Sequence, residues 1–522
     1  MKRFLQRHLG RVIGVLNGFD RLRFRGTLRP LAHTGGMMEF LWGSQVLLKD
    51  FKQYVLGVTE QVRQSLVKLA ADADRPVKYL ASSSTDKEQV ARRIAAADDV
   101  RQGLVCVLTC VEVCRSYDVH RNRQTRHLEL QSCQRKCLHS YAYFIHPRLG
   151  WMHARLQTWF PFDLRIYLNG REWLCRELDR EGVAYLRREN CLTQVADVPR
   201  AQRLLDKQLR INWPDLLDSI AAQVFPLRGS VLASWPMNYY WSLDESEWAS
   251  DVMFRSAGQL AELYPRLVRH AMSSFGTREV LRFLGRKVPT QRGLYWGRFE
   301  KELTSDLRQR PEGMRVKHRL GRNSLKMYDK QGSVLRIETT INHPRDMKVF
   351  RPKEGDARGG KAWRYLRKGV ADTHRRAQLC QAANERYLDG LADVDETTAL
   401  AEIAEPLCRP VRRQDQRARA LNPLSADDAR LLAAISRGEF VIHGFRNRDL
   451  QPLLYDSAAP DKQQQRRRSA AVTRRIRLLR AHRLIRKVPK THRYLVTSKG
   501  RLAITALLAA RQADTAKLTA AA

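Results

Sequence analysis

Two tyrosines stand side by side at Tyr239 and Tyr240, next to Trp241 and ahead of Asp244, Glu247 and Asp251. A phenolate that attacks phosphorus keeps the broken nucleic-acid end covalently attached. Tyr239 and Tyr240 are therefore the candidate nucleophiles. The carboxylates around them are of the type that holds Mg²⁺ or Mn²⁺. Two more lie further on: Asp329 ends the run SLKMYDK, and Glu338 lies in SVLRIETTIN. The Gln331-Gly332 turn between these runs predicts a hairpin that brings Asp329 and Glu338 towards one sheet face. The expected metal ligands are Asp251, Asp329 and Glu338, with Lys330 beside them to hold phosphate. Two blander readings stay open. The aromatics would equally fill a core or stack on bases, and the hairpin carboxylates would equally form surface ion pairs.

A second chemistry is written in RRRSAAVTRRIRLLRAHRLIRKVPKTHRYLVTSKGR. Val472, Ile476 and Leu479 recur at i, i+4 and i+7, which is one apolar stripe of a helix. Arg466, Arg467, Arg474, Arg475, Arg477 and Arg480 occupy the rest of its surface. A helix that enters a DNA groove needs this division: a stripe to anchor it, and guanidinium groups to reach phosphates and base edges. Lys490 and His492 sit at the tip of the turn that follows. Nearer the start, Arg21, Arg23, Arg25 and Arg29 alternate along FDRLRFRGTLRP, a basic stripe if that segment is a strand. Tyr141, Tyr143, Phe144, Trp151, Trp159 and Phe160 interleave with Arg148, Arg155 and Arg165. Aromatics among arginines on a sheet are how single strands are bound, and alternation leaves three or four of them able to meet a base. Cys106, Cys110 and Cys114 fall on one strand face. Cys133 and Cys137 have a spacing compatible with zinc, but they lie inside β-like runs, and buried apolar cysteine is the better reading.

The stretch RLLRAHRLIRKVPKTHRYLVTSKGR resembles the winged helix-turn-helix regulators of the MarR type. That resemblance covers about a fifth of the chain and implies a DNA-binding unit. The segment YDK…RIE, Tyr328 to Glu338, looks like a hairpin of rolling-circle replication initiators from phages and plasmids, over about 20 residues. That family's chemistry rests on a His-hydrophobe-His strand and a nucleophilic tyrosine. The chain has no such histidine pair; its nearest substitutes, His139, His146 and His153, are spaced by seven.

These segments need a scaffold, and the chain supplies one. Its 522 residues are 43% hydrophobic, enough for about three domains at roughly 100–200 residues each. The expected class is α+β. N-terminal (1–225) and central (226–352) antiparallel-sheet α/β sandwiches precede a helical, basic linker (353–420) and a winged helix-turn-helix (421–522). A net charge of +40 makes a polyanion the first partner to expect. No run of 18 apolar residues predicts a membrane span. Nine cysteines, an odd number at low density, fit a reducing cytoplasm; the protein would be nucleoid-associated when bound to DNA. No GxxxxGK[ST] motif is present, which argues against an ATP-driven helicase. Two functions remain. One is a DNA-binding protein of a mobile or replicating element, a replication initiator or transposase-like strand processor. The other is a non-catalytic regulator or RNA-binding protein. DNA, duplex and single-stranded, and RNA are the expected partners, and the oligomeric state is left open.

Overall fold

The computed structural model describes residues 1–286, 303–353, 356, 359–392, 400–413, 416–437, 440, 444–457, 459–489 and 491–512. They form two compact units: His8–Pro265 with Ser305–Glu385, and Met1–Arg7 with Arg266–Thr304 and Arg386–Ala522. No helix among the described residues is long and apolar enough to cross a membrane.

The first unit is built on one sheet. Its strands, in chain order, are β1 (Val12–Thr27), β2 (Val77–Leu80), β3 (Gly103–Arg121), β4 (Leu128–His146), β5 (Gly150–Gln157) and β6 (Leu164–Asn169). A separate hairpin, β7 (Tyr185–Arg188) with β8 (Cys191–Val195), follows. The sheet resumes with β9 (Tyr240–Phe254), β10 (Leu303–Arg310), β11 (Gly313–Leu320), β12 (Asn323–Lys330) and β13 (Val334–Thr340). The order across the eleven strands is β10-β11-β12-β13-β9-β1-β6-β5-β4-β3-β2. The expected N-terminal and central sandwiches are therefore not separate. β9 pairs with β1 on one side and with β13 on the other, which joins both regions into one sheet. The hairpin expected around Gln331-Gly332 is present as β12 and β13; β11 extends it to a meander, and Gly103–Arg121 pairs antiparallel with Leu128–His146.

One face of this sheet is apolar. Phe19, Leu22, Phe24, Leu325, Met327, Leu335 and Ile337 are buried on it. Asn384, from the helix Thr373–Leu391, caps that side. It donates to the Trp248 carbonyl at 3.2 Å, to Ser250 Oγ at 3.1 Å and to the Ile337 carbonyl at 3.0 Å. The opposite face carries charge.

The second unit contains helices Ala426–Ile435, Asn447–Leu454 and Lys462–Ala481, a two-stranded hairpin Ile485–Lys487 with Tyr494–Val496, and a helix Ser498–Gln512. Val472, Ile476 and Leu479 are buried in its core, as their spacing predicts. Within the segment expected to be a linker, Leu407 belongs to the same core. Lys490, expected at the tip of the turn after the arginine-rich helix, lies outside the described residues.

Candidate metal centre on the charged sheet face

β13, β9 and β1 are the fourth, fifth and sixth of the eleven strands, so side chains on their polar face lie mid-sheet. The register decides which ones meet. Glu338 lies opposite Ala249, Arg336 opposite Asp251, and Thr340 opposite Glu247. On β12, Lys326 faces Glu338 and Tyr328 faces Arg336. On β1, Arg21 faces Glu247 and Arg23 faces Glu245. Between Phe19 and Arg21 the pairing slips by one, so Asp20 is the extra residue of a bulge. A bulge re-aims a side chain, and this one delivers Asp20 to the polar face beside Glu247. Beside the bulge lies Gly170, the first residue of the helix Gly170–Arg180 that Asn169 caps. A Cβ at Gly170 would lie 1.8 Å from the Phe19 carbonyl oxygen, a close approach that only glycine permits.

The outcome is a set of three carboxylates, Asp20, Glu247 and Glu338, with one oxygen of each within 4.8 Å of the others. All three are more than nine-tenths buried. The surrounding cations are fixed. Arg336, fully buried, donates Nε to Asp251 Oδ1 at 2.6 Å, Nη2 to Asp251 Oδ2 at 2.9 Å and Nη1 to Asp20 Oδ1 at 2.9 Å. Arg171 Nη2 is 2.8 Å from Asp251 Oδ2. Lys326 donates to Glu247 Oε1 at 2.7 Å and to Glu338 Oε1. Arg21 takes the other oxygen of Glu247, with Nη2 at 2.8 Å.

Those bonds leave two carboxylate oxygens. Asp20 Oδ2 and Glu338 Oε2 accept no hydrogen bond from the described residues; every contact to these two side chains falls on the other oxygen. Thr340 Oγ1, on the same face opposite Glu247, is buried and also lacks a partner. Of these three oxygens Thr340 Oγ1 is fully enclosed, and a buried polar atom without a partner is uncommon in folded proteins. Oxygen donors of this kind suit a hard divalent cation.

The electrostatics agree with the geometry. Burial would raise the Asp20 carboxyl, but Arg336, Lys330 and Arg171 outweigh it and hold it below the usual carboxylate range. Burial would also raise Glu247, and Lys326 and Arg21 bring it down. Glu338 goes the other way: burial, and then the neighbouring Glu247, push it up to about 7 despite Lys326. Glu338 is thus the least compensated of the three carboxylates. Because its folded value lies above its unfolded one, the stability it contributes is full at low pH and is lost as pH rises through about 7. In metal-free buffer the protein should be about 1 kcal/mol less stable at pH 8 than at pH 6 from this group. Urea midpoints at the two pH values, with Glu338→Gln as control, check this; the variant should lose that part of the slope.

The carboxylate set differs from the expected one. Glu338 stands as predicted. Asp251 lies on the same face but is enclosed by Arg336 and Arg171. Asp329 pairs with Leu335, the opposite parity to Glu338, so it points to the other face. Lys330 shares the face of Lys326 but is buried, and its charge acts on Asp20. Asp20 is the carboxylate of this set that sequence reading missed. It lies in a run dominated by arginine, and the bulge that turns it inward leaves no mark in the residue order.

The tyrosine pair is not in the site. Tyr239 is buried, donates its hydroxyl to the Phe162 carbonyl at 2.9 Å, and burial pushes its phenol up, which leaves no nucleophile. Tyr240 begins β9 seven residues before Glu247, roughly 23 Å away at ~3.3 Å per residue. Its ring lies under the Arg29 guanidinium, 3.4 Å from the centroid. That separation excludes either tyrosine as a nucleophile at this centre. The two tyrosines on the charged face beside the carboxylates are Tyr167, opposite Arg23, and Tyr328, opposite Arg336. Burial pushes both phenols up to about 12.

Arg21, Arg23 and Arg25 do share one strand face, as the alternation predicts. Each meets an acid: Glu247, Glu245 and Asp163 respectively. They and Arg165 remain about 40% exposed, and of these Arg21 is the one bonded to the carboxylate set, through Glu247. The interleaved aromatics do not form the expected stacking face. Tyr141, Tyr143, Phe144, Trp151, Trp159 and Phe160 are all buried. The helix Lys87–Ala97 covers part of this region, with Arg92 over Trp151 at 4.5 Å. Cys106 and Cys110 sit in the same apolar cluster, and burial pushes the Cys106 thiol up to about 12. Cys137 is buried and Cys133 half-buried.

On the helix Lys462–Ala481, Arg466, Arg467, Arg474 and Arg477 are exposed, while Arg475 and Arg480 are half-buried. His492 is exposed. No protein-family model, no curated protein and no solved structure matches the chain.

Proposed function

We propose that this is a nucleic-acid strand-processing protein: Asp20, Glu247 and Glu338 hold Mg²⁺ or Mn²⁺, and the C-terminal region binds DNA. The observation that carries the reading is the convergence of three buried carboxylates, with two oxygens and Thr340 Oγ1 unpartnered and Arg21 bonded to Glu247. A divalent cation bound there would polarise a phosphodiester oxygen or lower the pKa of a bound water. Arg21, Arg23, Arg25 and Arg165 would draw the phosphate backbone over the site, and Lys326 would offset charge on the two glutamates. The net charge of +40 supports the same class of partner. A protein of a mobile or replicating element, whether initiator or transposase-like, is the setting that joins these two activities.

For the C-terminal region, the order helix, helix, arginine-rich helix, two-stranded hairpin, helix supports a winged helix-turn-helix of the MarR type. A bridge between Phe445 and Tyr494 adds a third segment beside the hairpin. Replacing Arg474 and Arg477 together by Ala in the full chain should weaken duplex binding and reduce the log-log salt slope by roughly 2. Fluorescence anisotropy with a labelled duplex at several salt concentrations measures it. An unchanged slope would remove this helix from the interface.

Lys326 supports a second reading. Its ammonium already answers one oxygen of each glutamate, as in a purely structural ion network of a non-catalytic regulator or RNA-binding protein. Incubating the full chain with end-labelled single- and double-stranded DNA and RNA, with Mg²⁺, Mn²⁺ or EDTA, separates the two. Divalent-dependent cleavage supports the strand processor, and its absence with every substrate leaves the binder.

A further inference from the structure

Ten residues beyond Glu338 the chain forms a small hairpin, β14 (Lys348–Arg351) with β15 (Ala362–Tyr365). An isolated two-stranded hairpin is marginal in water, and this one is tied down at its base. Asp372, almost fully buried, receives Nε and Nη2 of Arg367 at 2.9 and 3.2 Å and Nη1 of Arg375 at 2.9 Å. Arg351, at the end of β14, lies 3.6 Å from the same carboxylate and donates to the Tyr365 carbonyl. Met347 and Val349 are buried beneath.

The other face of this fixed hairpin has the opposite character. The register sets Lys348 against Tyr365 and Phe350 against Trp363, so all four side chains stand on one face. Phe350 and Trp363 are each 54% exposed and Tyr365 is 57% exposed. The Phe350 and Trp363 rings lie 5.8 Å apart and are tilted by 54°, an open V rather than a closed stack. Lys348 Nζ is 5.1 Å from the Tyr365 centroid, and Lys353 and Lys361 are exposed at the ends of the two strands. Three rings that are each more than half exposed thus share one face with an ammonium group.

We propose that this hairpin is a stacking platform for single-stranded DNA, with bases on Trp363 and Phe350 and phosphates beside Lys348, Lys353 and Lys361. The proposal rests on the nucleic-acid reading above and adds the place where an unpaired strand is held. Rigid aromatic faces accept any base, and flanking ammonium groups complement the backbone, which is the composition of sequence-tolerant single-strand sites. The interleaved aromatics of β4 and β5 cannot serve, since they are buried.

The test uses the full chain and fluorescein-labelled dT20, read by anisotropy in EDTA, so that metal binding plays no part. Trp363→Leu should weaken binding about tenfold and Phe350→Ala with Trp363→Leu further, whereas Trp363→Phe, which keeps a π face, should recover most of the affinity. Thermal midpoints should not move, because the replaced rings are surface groups. Duplex binding and Mn²⁺ binding should also be unchanged, which separates failure of this proposal from failure of the metal reading. Affinity for dT20 unaffected by Trp363→Leu overturns it. So does a loss seen with U20 RNA but not with dT20, or equal rescue by Phe and Leu.

Discussion

Asp20→Asn, Glu247→Gln and Glu338→Gln should each lower Mg²⁺- or Mn²⁺-dependent strand cleavage by at least about a hundredfold if the proposed function holds. Each replacement removes one anionic ligand from a three-carboxylate set while leaving its shape almost unchanged. Unfolding does not account for such a loss at Glu338. With its carboxyl pushed up to about 7, a neutral amide there is no worse placed at pH 8 than the carboxylate it replaces. The expected pattern is lost cleavage with a urea midpoint at or above that of the native chain. Tyr239→Phe and Tyr240→Phe, by contrast, leave cleavage within about twofold, because neither hydroxyl is near the carboxylates. Cleavage that survives in Glu338→Gln, or that vanishes in Tyr240→Phe, contradicts this assignment.

Arg336→Met should destabilise the protein by ~3–5 kcal/mol. The guanidinium is fully buried and makes three hydrogen bonds to Asp20 and Asp251 and one to the Asn190 carbonyl. Methionine fills much of its volume but leaves two carboxylates buried. Arg171 remains on Asp251 at 2.8 Å, so the penalty falls chiefly on Asp20, which Arg171 approaches only to 3.8 Å. Lysine at 336 should recover only part of the loss, since one ammonium cannot reproduce a fork that spans two acids. Chemical denaturation at pH 7.5 measures both variants. A loss below about 1 kcal/mol for Arg336→Met would mean that the two acids shed their charge on burial.

What was legible in the sequence follows from how local each signal is. The hairpin around Gln331-Gly332 was legible and is present, because a short turn between two strand-forming runs is a local signal. The apolar stripe at Val472, Ile476 and Leu479 was legible for the same reason. Glu247 and Glu338 could be marked as carboxylates of interest, but not as neighbours. Their meeting depends on β9 pairing with β13, and Asp20 joins them only because β1 pairs with β9 across more than 200 positions, Arg21 facing Glu247. Parity settled the rest. Asp329 and Glu338 are an odd number of residues apart across a turn whose length sets their faces, and the observed register puts them on opposite sides. Asp20 depends on a one-residue bulge, and the tyrosine pair fails because a fifteen-residue strand carries it too far from Glu247. The basic stripe of Arg21, Arg23 and Arg25 was read correctly as one face, whereas its acidic partners Glu245, Glu247 and Asp163 come from distant segments.

The most direct test of the central claim is calorimetric titration of the metal-free full chain with Mn²⁺ at pH 8, beside Asp20→Asn and Glu338→Gln. The account predicts saturable binding to the native chain that releases protons as pH is lowered towards 7, where Glu338 holds its proton. It predicts at least about tenfold weaker binding in either variant. Binding that is absent from the native chain, or present and equal in all three proteins, would contradict a metal centre at Asp20, Glu247 and Glu338.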